Sequence, residues 1–215
     1  MTSQLDPRFL SIDAYTIADA ARRHGTGGVI HSLKPQNDAS RFIGRALTAR
    51  VQFEPHKEVP LSRYGAGALL DRVSQGDVVL LDGGGHFFSA LGDLAATIIQ
   101  RRGGVAAVVN AAVRDIEDIN PQFPVFALGV AINSIATHGF VTAIGEPLFM
   151  AGVRVETGDL VAGCRGGIVT LPWSDRDAVL QEALTLVESD RLVRSGLERG
   201  ETMSELWQQH KAPLK

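Results

Sequence analysis

Hydrophobic residues occur along this chain with two different periods, and the shorter period predicts strands. Apolar and more polar residues alternate through residues 46–53, which indicates a half-buried strand. The apolar positions of that strand are Leu47, Ala49, Val51 and Phe53. Short apolar runs at 78–81, 105–109 and 124–128 predict three further strands, the first two of them buried. The chain is therefore expected to contain a sheet.

A second set of apolar residues recurs at helical spacing and, with the capping signals, predicts three helices. The first spans residues 14–24 and stops at the glycines that follow it. The second covers residues 88–101, with apolar positions at Phe88, Leu91, Ala95, Ile98 and Ile99. Ser174 and Asp177 have the spacing of a capping box, which predicts a long third helix over about residues 175–199.

The segment before the last helix is different in character. Residues 140–172 read as β structure interrupted by three glycine-containing turns. We find no linker, repeat or low-complexity segment in the sequence. We therefore expect a single α/β domain over residues 1–215, with a core at about 14–172 followed by the C-terminal helix.

The composition argues against several classes of protein. With 215 residues, 45% of them hydrophobic, the chain is long enough to bury one large core. The 21 basic and 24 acidic residues give a net charge of −3, which does not suit a nucleic-acid partner. Cys164 is the only cysteine, so no disulfide forms within the chain and a reducing compartment fits. We see no signal peptide or membrane span and expect a cytoplasmic protein with no membrane partner.

Two common kinds of catalytic site are not indicated by the sequence. A Schiff-base enzyme needs a lysine in apolar surroundings. The four lysines lie in polar or terminal segments, at Lys34, Lys57, Lys211 and Lys215. The six histidines form no cluster with the spacing of zinc ligands.

Three features could carry chemistry. Asp82–Gly85 is a glycine loop that could either cradle an anion or form a plain tight turn. Asp93 lies early in the second predicted helix, where an acidic residue either serves a site or complements the helix dipole. Arg114 and Asp115 follow the strand at 105–109, in the position where ligands bind in α/β sheets. Arginine suits a carboxylate and aspartate suits Mg²⁺, although an Arg-Asp pair is also a common surface dipeptide.

The spacing of these residues changes their interpretation. Asp93, followed after twenty residues by Arg114-Asp115, resembles the signature of the class II pyruvate aldolases. This is the family of 4-hydroxy-4-methyl-2-oxoglutarate aldolase, which shares its fold with the regulator of ribonuclease E activity. The similarity extends over about residues 14–200. Further segments that resemble the family are 16–20, 44–48, 78–83, 92–94, 155–160 and 166–172.

The resemblance implies a swivelling β/β/α fold and a role for each residue of the signature. Asp115 would bind a divalent metal, Mg²⁺ or Mn²⁺, and Arg114 would contact the substrate's carboxylate and keto oxygen. Asp93 would hold metal-bound water, and backbone N–H groups around Gly92 and Leu94 would seat the pyruvyl group. We expect an enzyme that cleaves 4-hydroxy-2-oxo acids, of the 4-hydroxy-4-methyl-2-oxoglutarate type, to pyruvate. Oxaloacetate decarboxylation would be a side activity, because both reactions leave an enolate that a metal and a guanidinium stabilise.

The family also places an acidic residue from a neighbouring subunit's C-terminal helix near the metal, which implies a homotrimer or a hexamer. Glu188 and Asp190 compete for that role. Helical geometry puts Asp190 in the middle of an apolar stripe and Glu188 on the opposite face. The stripe consists of Val179, Ala183, Leu186, Val193 and Leu197. Such a carboxylate needs a partner, so Asp190 either helps to position the catalytic water, pairs with Arg194, or lies on a helix that bends at Ser189.

The sequence departs from the family pattern at three places. Asn110-Ala111 stands where Asp-Gly is usual. Asp190 is one methylene shorter than the usual glutamate, and Cys164 takes the place of an aspartate. These departures leave the identity of the 2-oxo acid substrate open more than they affect the metal site.

Two other functions remain compatible with the sequence. One is a non-catalytic regulator that binds a ribonuclease as a protein partner, and the other is a lyase for an unrelated sugar acid. The presence of Asp93, Arg114 and Asp115 together favours an enzyme, because a protein that only binds a partner does not need all three.

Overall fold

The computed structural model describes residues 5–54, 56–135 and 138–210 and is built around one large mixed sheet. The helices are α1 (Ala14–Arg23), α2 (Ala66–Leu70), α3 (Asp93–Arg101), α4 (Arg176–Glu198) and α5 (Met203–His210). The strands are β1 (Gly28–Ile30), β2 (Lys34–Pro35), β3 (Phe42–Phe53), β4 (Asp77–Asp82), β5 (Ser89–Leu91), β6 (Ala106–Val113), β7 (Val125–Val130), β8 (Gly139–Ile144), β9 (Leu148–Met150), β10 (Val153–Val155), β11 (Leu160–Cys164) and β12 (Gly167–Leu171). Short 3-10 turns lie at Pro7–Ser11, Leu61–Arg63 and Trp173–Asp175.

The centre of the sheet is parallel. The strand order is β1-β12-β11-β3-β4-β6-β7-β2, with β5 paired to β6 and β8 paired to β3. Strands β3, β4, β6 and β7 run parallel, and β5 runs in the same direction along β6. Their carboxyl ends therefore meet at one edge, which is where ligands bind in sheets of this kind.

Different elements cover the two faces of the sheet. In β4, Val79 and Leu81 pack with residues of α2 and α3, whereas Val78 and Leu80 pack with Leu148 and Met150 of the β9–β10 hairpin. Because both faces of β4 are buried, its sequence is an uninterrupted apolar run. A further cluster joins α1 and α4 to β11 and β12. The expected mixed α/β fold, with a large sheet and helices, is confirmed.

The predicted helix over residues 88–101 is wrong in its first turn. Residues Ser89–Leu91 form strand β5 instead, and α3 begins at Asp93. The Ser89 N–H donates to the Asn133 carbonyl at 2.7 Å, and the Phe88 carbonyl accepts from the Ala112 N–H at 3.0 Å. These bonds join segments that are distant in sequence, so they override a spacing that by itself suits a helix.

The strand predicted at 105–109 is longer than expected. Strand β6 continues through Asn110–Val113, beyond the predicted end at residue 109, and all of its residues are buried. The extension is paired on both sides, to β5 at Ala112 and Val113 and to β7 at the same two residues. Arg114 consequently follows the strand directly.

The capping box predicted for the third helix is wrong. The Ser174 hydroxyl donates to the Asp175 carboxylate at 2.8 Å, and no side chain caps α4, which begins at Arg176. The 3-10 turn Trp173–Asp175 occupies the place of the cap. The sequence also did not predict α5, where Leu206 is fully buried and packs beside Gly196 of α4.

Within the residues that the structure describes, no helix is both long enough and apolar enough to cross a membrane.

Candidate active site

Two chain segments that are far apart in sequence meet at Gly92. The Arg114 N–H donates to the Leu91 carbonyl at 3.0 Å, which holds the end of β6 beside the start of α3. A Cβ atom added at Gly92 would lie 3.0 Å from Asp115 Oδ2 and 3.4 Å from Arg114 Nε. The structure thus brings Arg114 and Asp115 against the residue that precedes Asp93, and a side chain at Gly92 would crowd both of them.

Arg114 and Asp115 form an ion pair between neighbouring residues. Arg114 Nε donates to Asp115 Oδ2 at 2.9 Å, and the two side chains are 42% and 35% exposed. In the described part of the chain, the other oxygen, Asp115 Oδ1, accepts no hydrogen bond. An exposed ion pair of this kind contributes little to stability, so its effect is to orient the two groups. One carboxylate oxygen is left available to a ligand.

Asp115 has an unusual backbone conformation. Its φ is +53°, and Ala151 is the only other described residue besides glycine with a positive φ. Non-glycine residues in the left-handed region are uncommon and often occur at functional sites, where the surrounding structure maintains the strain.

The amino end of α3 offers free hydrogen-bond donors to this site. Gly92 is the N-cap in an extended conformation and has no side chain to accept from the first turn. The first intrahelical bond joins the Ala96 N–H to the Gly92 carbonyl, so the N–H groups of residues 93–95 have no acceptor within the helix. Such a terminus favours an anion, including the carboxylate of a small acid. Leu94 is highly exposed, so its backbone is the part suited to this role.

Asp93 occupies the first position of α3 and is partly buried. Among the described residues, its carboxylate has no hydrogen-bond or ion-pair partner. The helix dipole stabilises its negative charge, but no side chain of the same chain satisfies its oxygens. It is therefore available to water, to a ligand or to a residue of another chain.

The glycine loop at Asp82–Gly85 is a tight turn rather than an anion cradle. The Gly83 and Gly85 N–H groups donate to the Asn110 carbonyl at 3.2 and 3.0 Å. The Gly84 N–H donates to Asp82 Oδ1 at 3.0 Å. Because these N–H donors are already used, the loop offers little to an external anion. The interpretation of the loop as an anion cradle is therefore not supported.

Asn110 is explained by the same turn. Its side-chain nitrogen donates to Asp82 Oδ1 at 2.8 Å, and the residue is buried. An aspartate at position 110, as the family pattern has it, would place a second carboxylate beside Asp82. A Cβ atom added at Gly83 would lie 2.8 Å from the Ala111 Cβ, so Gly83 makes room for the other departure. The hydrogen bond to Asp82 and the space left by Gly83 thus accommodate both Asn110 and Ala111 in this structure.

The structure does not bring Asp190 to the other candidate residues within one chain. Helix α4 packs on α1 and α5, whereas α3 packs on α2 and β6. Asp190 lies on the line between buried Leu186 and Val193, as predicted, but it is exposed here. Leu197, predicted to extend the apolar stripe, is also exposed. Glu188 is exposed and pairs with Arg191 at 2.7 Å, on the face expected to be wet.

Cys164 lies in a different part of the molecule. It is buried at the end of β11, in the cluster formed with α1 and α4. A hydrogen bond between the Cys164 thiol and the Tyr15 hydroxyl raises the pKa of Tyr15. The replacement of an aspartate by Cys164 therefore affects the α1 side of the fold and does not alter the surroundings of Arg114.

Sequence reasoning missed one residue near the site, Tyr64. Burial raises the pKa of Tyr64, and the positive charge of Arg114 opposes that rise. The two residues are fifty positions apart, and no motif in the sequence links them. Only the fold shows that they are close enough to interact electrostatically.

The carboxylates present suit some metals better than others. Asp93 and Asp115 supply oxygen ligands only, and the described residues contain no group of three or more His, Cys, Asp or Glu side chains placed to hold a metal. A zinc cage needs four ligands, commonly with nitrogen or sulfur. Mg²⁺ and Mn²⁺ accept one or two carboxylates and fill the remaining positions with water and substrate. The donor set fits such an ion.

Comparisons with known proteins identify relatives of this chain. The model of a family described as "RraA-like: Aldolase/RraA" matches residues 14–170. A "Putative 4-hydroxy-4-methyl-2-oxoglutarate aldolase" of Halalkalibacterium halodurans is 29% identical over 178 residues, which cover 82% of this chain and 80% of the relative. "Protein DlpA" of Legionella pneumophila is 24% identical over 200 residues, covering 92% of this chain, and the chain spans only 32% of that relative's length.

A solved structure, "Structure of the RNA-processing inhibitor RraA from Thermus thermophilis", superposes with a TM-score of 0.60 and 28% identity. The superposition covers 73% of this chain and 92% of the other.

Proposed function

Because this chain belongs to the RraA-like (Aldolase/RraA) family, we propose that it is a divalent-metal-dependent lyase that cleaves 4-hydroxy-2-oxo acids to pyruvate. Oxaloacetate decarboxylation is proposed as a companion activity. The observation that carries this proposal is the meeting of three groups at Gly92: the Arg114 guanidinium, the Asp115 carboxylate and the uncapped start of α3. A 2-oxo acid carries a carboxylate and a keto oxygen. A cation, a carboxylate that can hold a metal ion and free N–H donors together suit the binding of both groups.

Each group has a distinct role in the proposed reaction. Arg114 binds the carboxylate and keto oxygen of the substrate, and the N–H groups at Asp93 and Leu94 hold the same pyruvyl unit. Asp115 holds Mg²⁺ or Mn²⁺, which when bound adds positive charge where the keto oxygen becomes negative. Asp93 orients a water that takes the proton of the 4-hydroxyl, and Asp190 of a neighbouring copy would assist it.

Cleavage then follows from charge stabilisation at fixed groups. As the 4-hydroxyl loses its proton, C4 and its oxygen become the carbonyl of the second product, the bond between C3 and C4 breaks, and its electron pair moves into the enolate of pyruvate. In the proposed complex, Arg114 and the helix terminus face that developing negative charge before the reaction begins, so little reorganisation is needed. The same enolate results from decarboxylation of oxaloacetate, which explains the companion activity.

A coupled assay tests the proposal. Purified protein is offered a panel of 4-hydroxy-2-oxo acids and oxaloacetate, with and without Mg²⁺ or Mn²⁺, and pyruvate is followed with lactate dehydrogenase. We expect metal-dependent release that chelation and Asp115→Ala abolish. Asp118→Ala is the matched control, since Asp118 is exposed and only three residues away. Pyruvate release that is unchanged by Asp115→Ala or by chelation would show the proposal to be wrong.

A second function is favoured by a different observation, the exposure of large apolar side chains around the site. Phe87, Leu94 and Ile132 are 62%, 74% and 91% exposed. Exposed apolar groups mark protein-binding surfaces when they are contiguous. The Thermus protein that shares this fold is named as an RNA-processing inhibitor. Capture of a ribonuclease scaffold by this protein, without pyruvate release from any substrate, would favour a regulator over a lyase.

A further inference from the structure

Strands β5 and β6 pair irregularly just before the candidate active site. The Ala112 N–H donates to the Phe88 carbonyl at 3.0 Å, and the Arg114 N–H donates to the Leu91 carbonyl, also at 3.0 Å. The two donors are two residues apart (112 and 114), as in a regular parallel ladder, but the two acceptors are three residues apart (88 and 91). Strand β5 therefore contains one extra residue between Ser89 and Leu91. Such a β-bulge is rare between parallel strands, and bulges are frequent next to active sites.

The bulge decides which residue lies against Arg114 and Asp115. In a regular ladder the Arg114 N–H would donate to the Ala90 carbonyl, and Leu91 would be the next residue along the chain. With the extra residue, the Leu91 carbonyl is the acceptor and Gly92 comes next. A Cβ atom at Gly92 would lie 3.0 Å from Asp115 Oδ2, so a glycine suits this crowded position. The bulge thus sets the register in which α3 begins beside the two side chains.

The hydroxyl of Ser89 bridges this bulge. Ser89 is buried, and its Oγ donates to the Leu91 carbonyl at 3.0 Å. The same carbonyl accepts the Arg114 N–H, so both of its lone pairs are in use. The backbone of Ser89 is anchored separately, because its N–H donates to the Asn133 carbonyl at 2.7 Å and its carbonyl accepts from the Ile135 N–H at 2.9 Å. Ser89 therefore joins the carbonyl that holds Arg114 to a third segment of the chain.

The acceptor distinguishes Ser89 from a buried hydroxyl that serves stability alone. A buried hydroxyl needs a partner, and a backbone carbonyl often supplies it. Thr48 is an example, since it is fully buried and its Oγ1 donates to the Glu146 carbonyl at 2.7 Å, and neither residue belongs to β5, β6 or α3. The acceptor of Ser89, in contrast, lies between the start of α3 and Arg114. Loss of the Ser89 hydroxyl would leave the Arg114 N–H as the donor to that carbonyl.

We propose that Ser89 is a positioning residue for the candidate active site, an inference that rests on the lyase function proposed above. Its hydroxyl holds the bulge in the register that keeps Gly92 and the free N–H groups of α3 against Arg114 and Asp115. In this role Ser89 touches neither the substrate nor the metal. It fixes the spacing between the groups that bind the pyruvyl unit, and such groups act together only when they are placed to within a fraction of an ångström.

Amide hydrogen exchange tests whether Ser89 holds the bulge, independently of any activity. Ser89→Ala removes the hydroxyl and keeps the rest of the side chain. We expect it to accelerate exchange of the Arg114 amide by at least about tenfold more than exchange of the Ala112 amide, because the bulge opens locally more often. The Ala112 amide bonds before the bulge and therefore reports any loss of stability of the whole fold. NMR measures both amides in the same sample.

The coupled pyruvate assay tests whether this register matters for the reaction. Ser89→Ala should lower kcat/KM by at least about tenfold, mainly through kcat, because displaced donors stabilise the developing enolate less well. Thr48→Val is the matched control, since it also removes a buried hydroxyl that donates to a backbone carbonyl. It should lower the midpoint of urea unfolding but leave the kcat of the folded protein within about twofold of the wild type.

The outcomes distinguish this inference from the lyase proposal. Wild-type protein that releases no pyruvate from any substrate with either metal contradicts the lyase function and, with it, the role of Ser89 in that reaction. An active wild type whose kcat is unchanged by Ser89→Ala retains the lyase and removes only the positioning role. Equal acceleration of exchange at Ala112 and Arg114 would show that Ser89 supports the whole fold, and it would also overturn the inference.

Discussion

Arg114 Nε donates to Oδ2 of its own neighbour, Asp115, at a distance of 2.9 Å, and both side chains remain partly exposed. Adjacent residues in an extended strand point to opposite faces, so the pair can close only because the chain turns after Val113. The positive φ of Asp115 is part of that turn in the chain. The strained backbone thus produces the arrangement in which one carboxylate oxygen binds the guanidinium and the other remains available.

Asp115→Asn separates the chemical role of the carboxylate from its structural role. Asparagine tolerates the left-handed backbone and keeps the size of the side chain, but it is a much poorer metal ligand. We expect pyruvate release to fall by about 100-fold or more, since a catalytic metal supplies several kcal/mol. The free energy of unfolding should change by less than about 1 kcal/mol, as for an exposed ion pair. The lactate dehydrogenase assay and urea denaturation measure the two quantities.

The matched control is Asp118→Asn, which removes an exposed carboxylate three residues away. It should retain wild-type activity. If both variants lose activity equally, the local charge rather than the Asp115 ligand is responsible.

Gly92→Ala should disturb the site without harming the fold. Its backbone is extended, so alanine is conformationally permitted, but the new Cβ would lie 3.0 Å from Asp115 Oδ2. Displacing that carboxylate and Arg114 by a few tenths of an ångström to 1 Å is expected to reduce kcat/KM by about 10- to 100-fold. Gly67→Ala is the control, because a Cβ there meets nothing within 4 Å and a helical alanine is stabilising by about 0.5–1 kcal/mol. Full activity in Gly92→Ala would show that the close approach is unimportant.

Asn110→Asp tests why this chain departs from the family pattern. The substitution removes the amide donor to Asp82 Oδ1, which is 2.8 Å away, and places two carboxylates side by side in a buried position. We expect the free energy of unfolding at neutral pH to fall by about 1.5–3 kcal/mol, the usual contribution of a hydrogen bond to a charged group, because Asp82 Oδ1 then keeps only the Gly84 N–H as a donor. Urea denaturation measures it. Combining it with Asp82→Asn, which restores a donor, should recover part of the loss, and a double variant no more stable than Asn110→Asp would contradict the pairing.

Asp77→Asn should stabilise the protein at neutral pH by an amount that shrinks in acid. Burial raises the pKa of Asp77 above its unfolded value of 3.8, although a hydrogen bond from the Ser74 N–H opposes the rise. The folded state therefore binds the proton more tightly than the unfolded state, and the wild type gains stability relative to the variant as the pH falls towards 3.8. Urea unfolding at several pH values between neutral and about 4 measures the difference.

The opposite sign is expected for Asp175. A hydrogen bond from the Thr26 hydroxyl lowers the pKa of Asp175, so its ionised form stabilises the fold at neutral pH. That contribution is lost as the pH falls through the lowered pKa. Asp175→Asn should therefore be less stable than the wild type at neutral pH, and the gap should narrow in acid. If the stability of both variants relative to the wild type changes with pH in the same direction, one of the two assigned pKa shifts is wrong.

The sheet and the position of Arg114 could be predicted because their signals are local. Strand β4 is an uninterrupted apolar run between polar ends, and such a run indicates a strand that is buried on both faces. Arg114 follows the next apolar run, β6, and residues in that position lie at the ligand-binding edge of a parallel sheet. The longer β6 of the structure moves this edge by four residues and leaves Arg114 at the end of the strand.

Strand β5 and Tyr64 could not be predicted because their signals are not local. Three residues are too few for a periodic pattern, and the bonds that make Ser89–Leu91 a strand reach Ala112 and Asn133. Tyr64 approaches Arg114 only after β3, β4 and β6 have assembled. The exposure of Asp190 is similar, since helical geometry gives the angle of a side chain but not whether another element packs against that side of the helix.

The left-handed backbone at Asp115 limits which amino acids evolution can place there. A β-branched or bulky side chain would add strain, whereas glycine and asparagine adopt this conformation readily. If Asp115 binds the metal as proposed, a relative that has lost this role would be expected to carry glycine or asparagine at the position rather than a random substitution. Under the proposed lyase function, the residue at this position would therefore distinguish relatives that retain the metal site from relatives that retain only the fold.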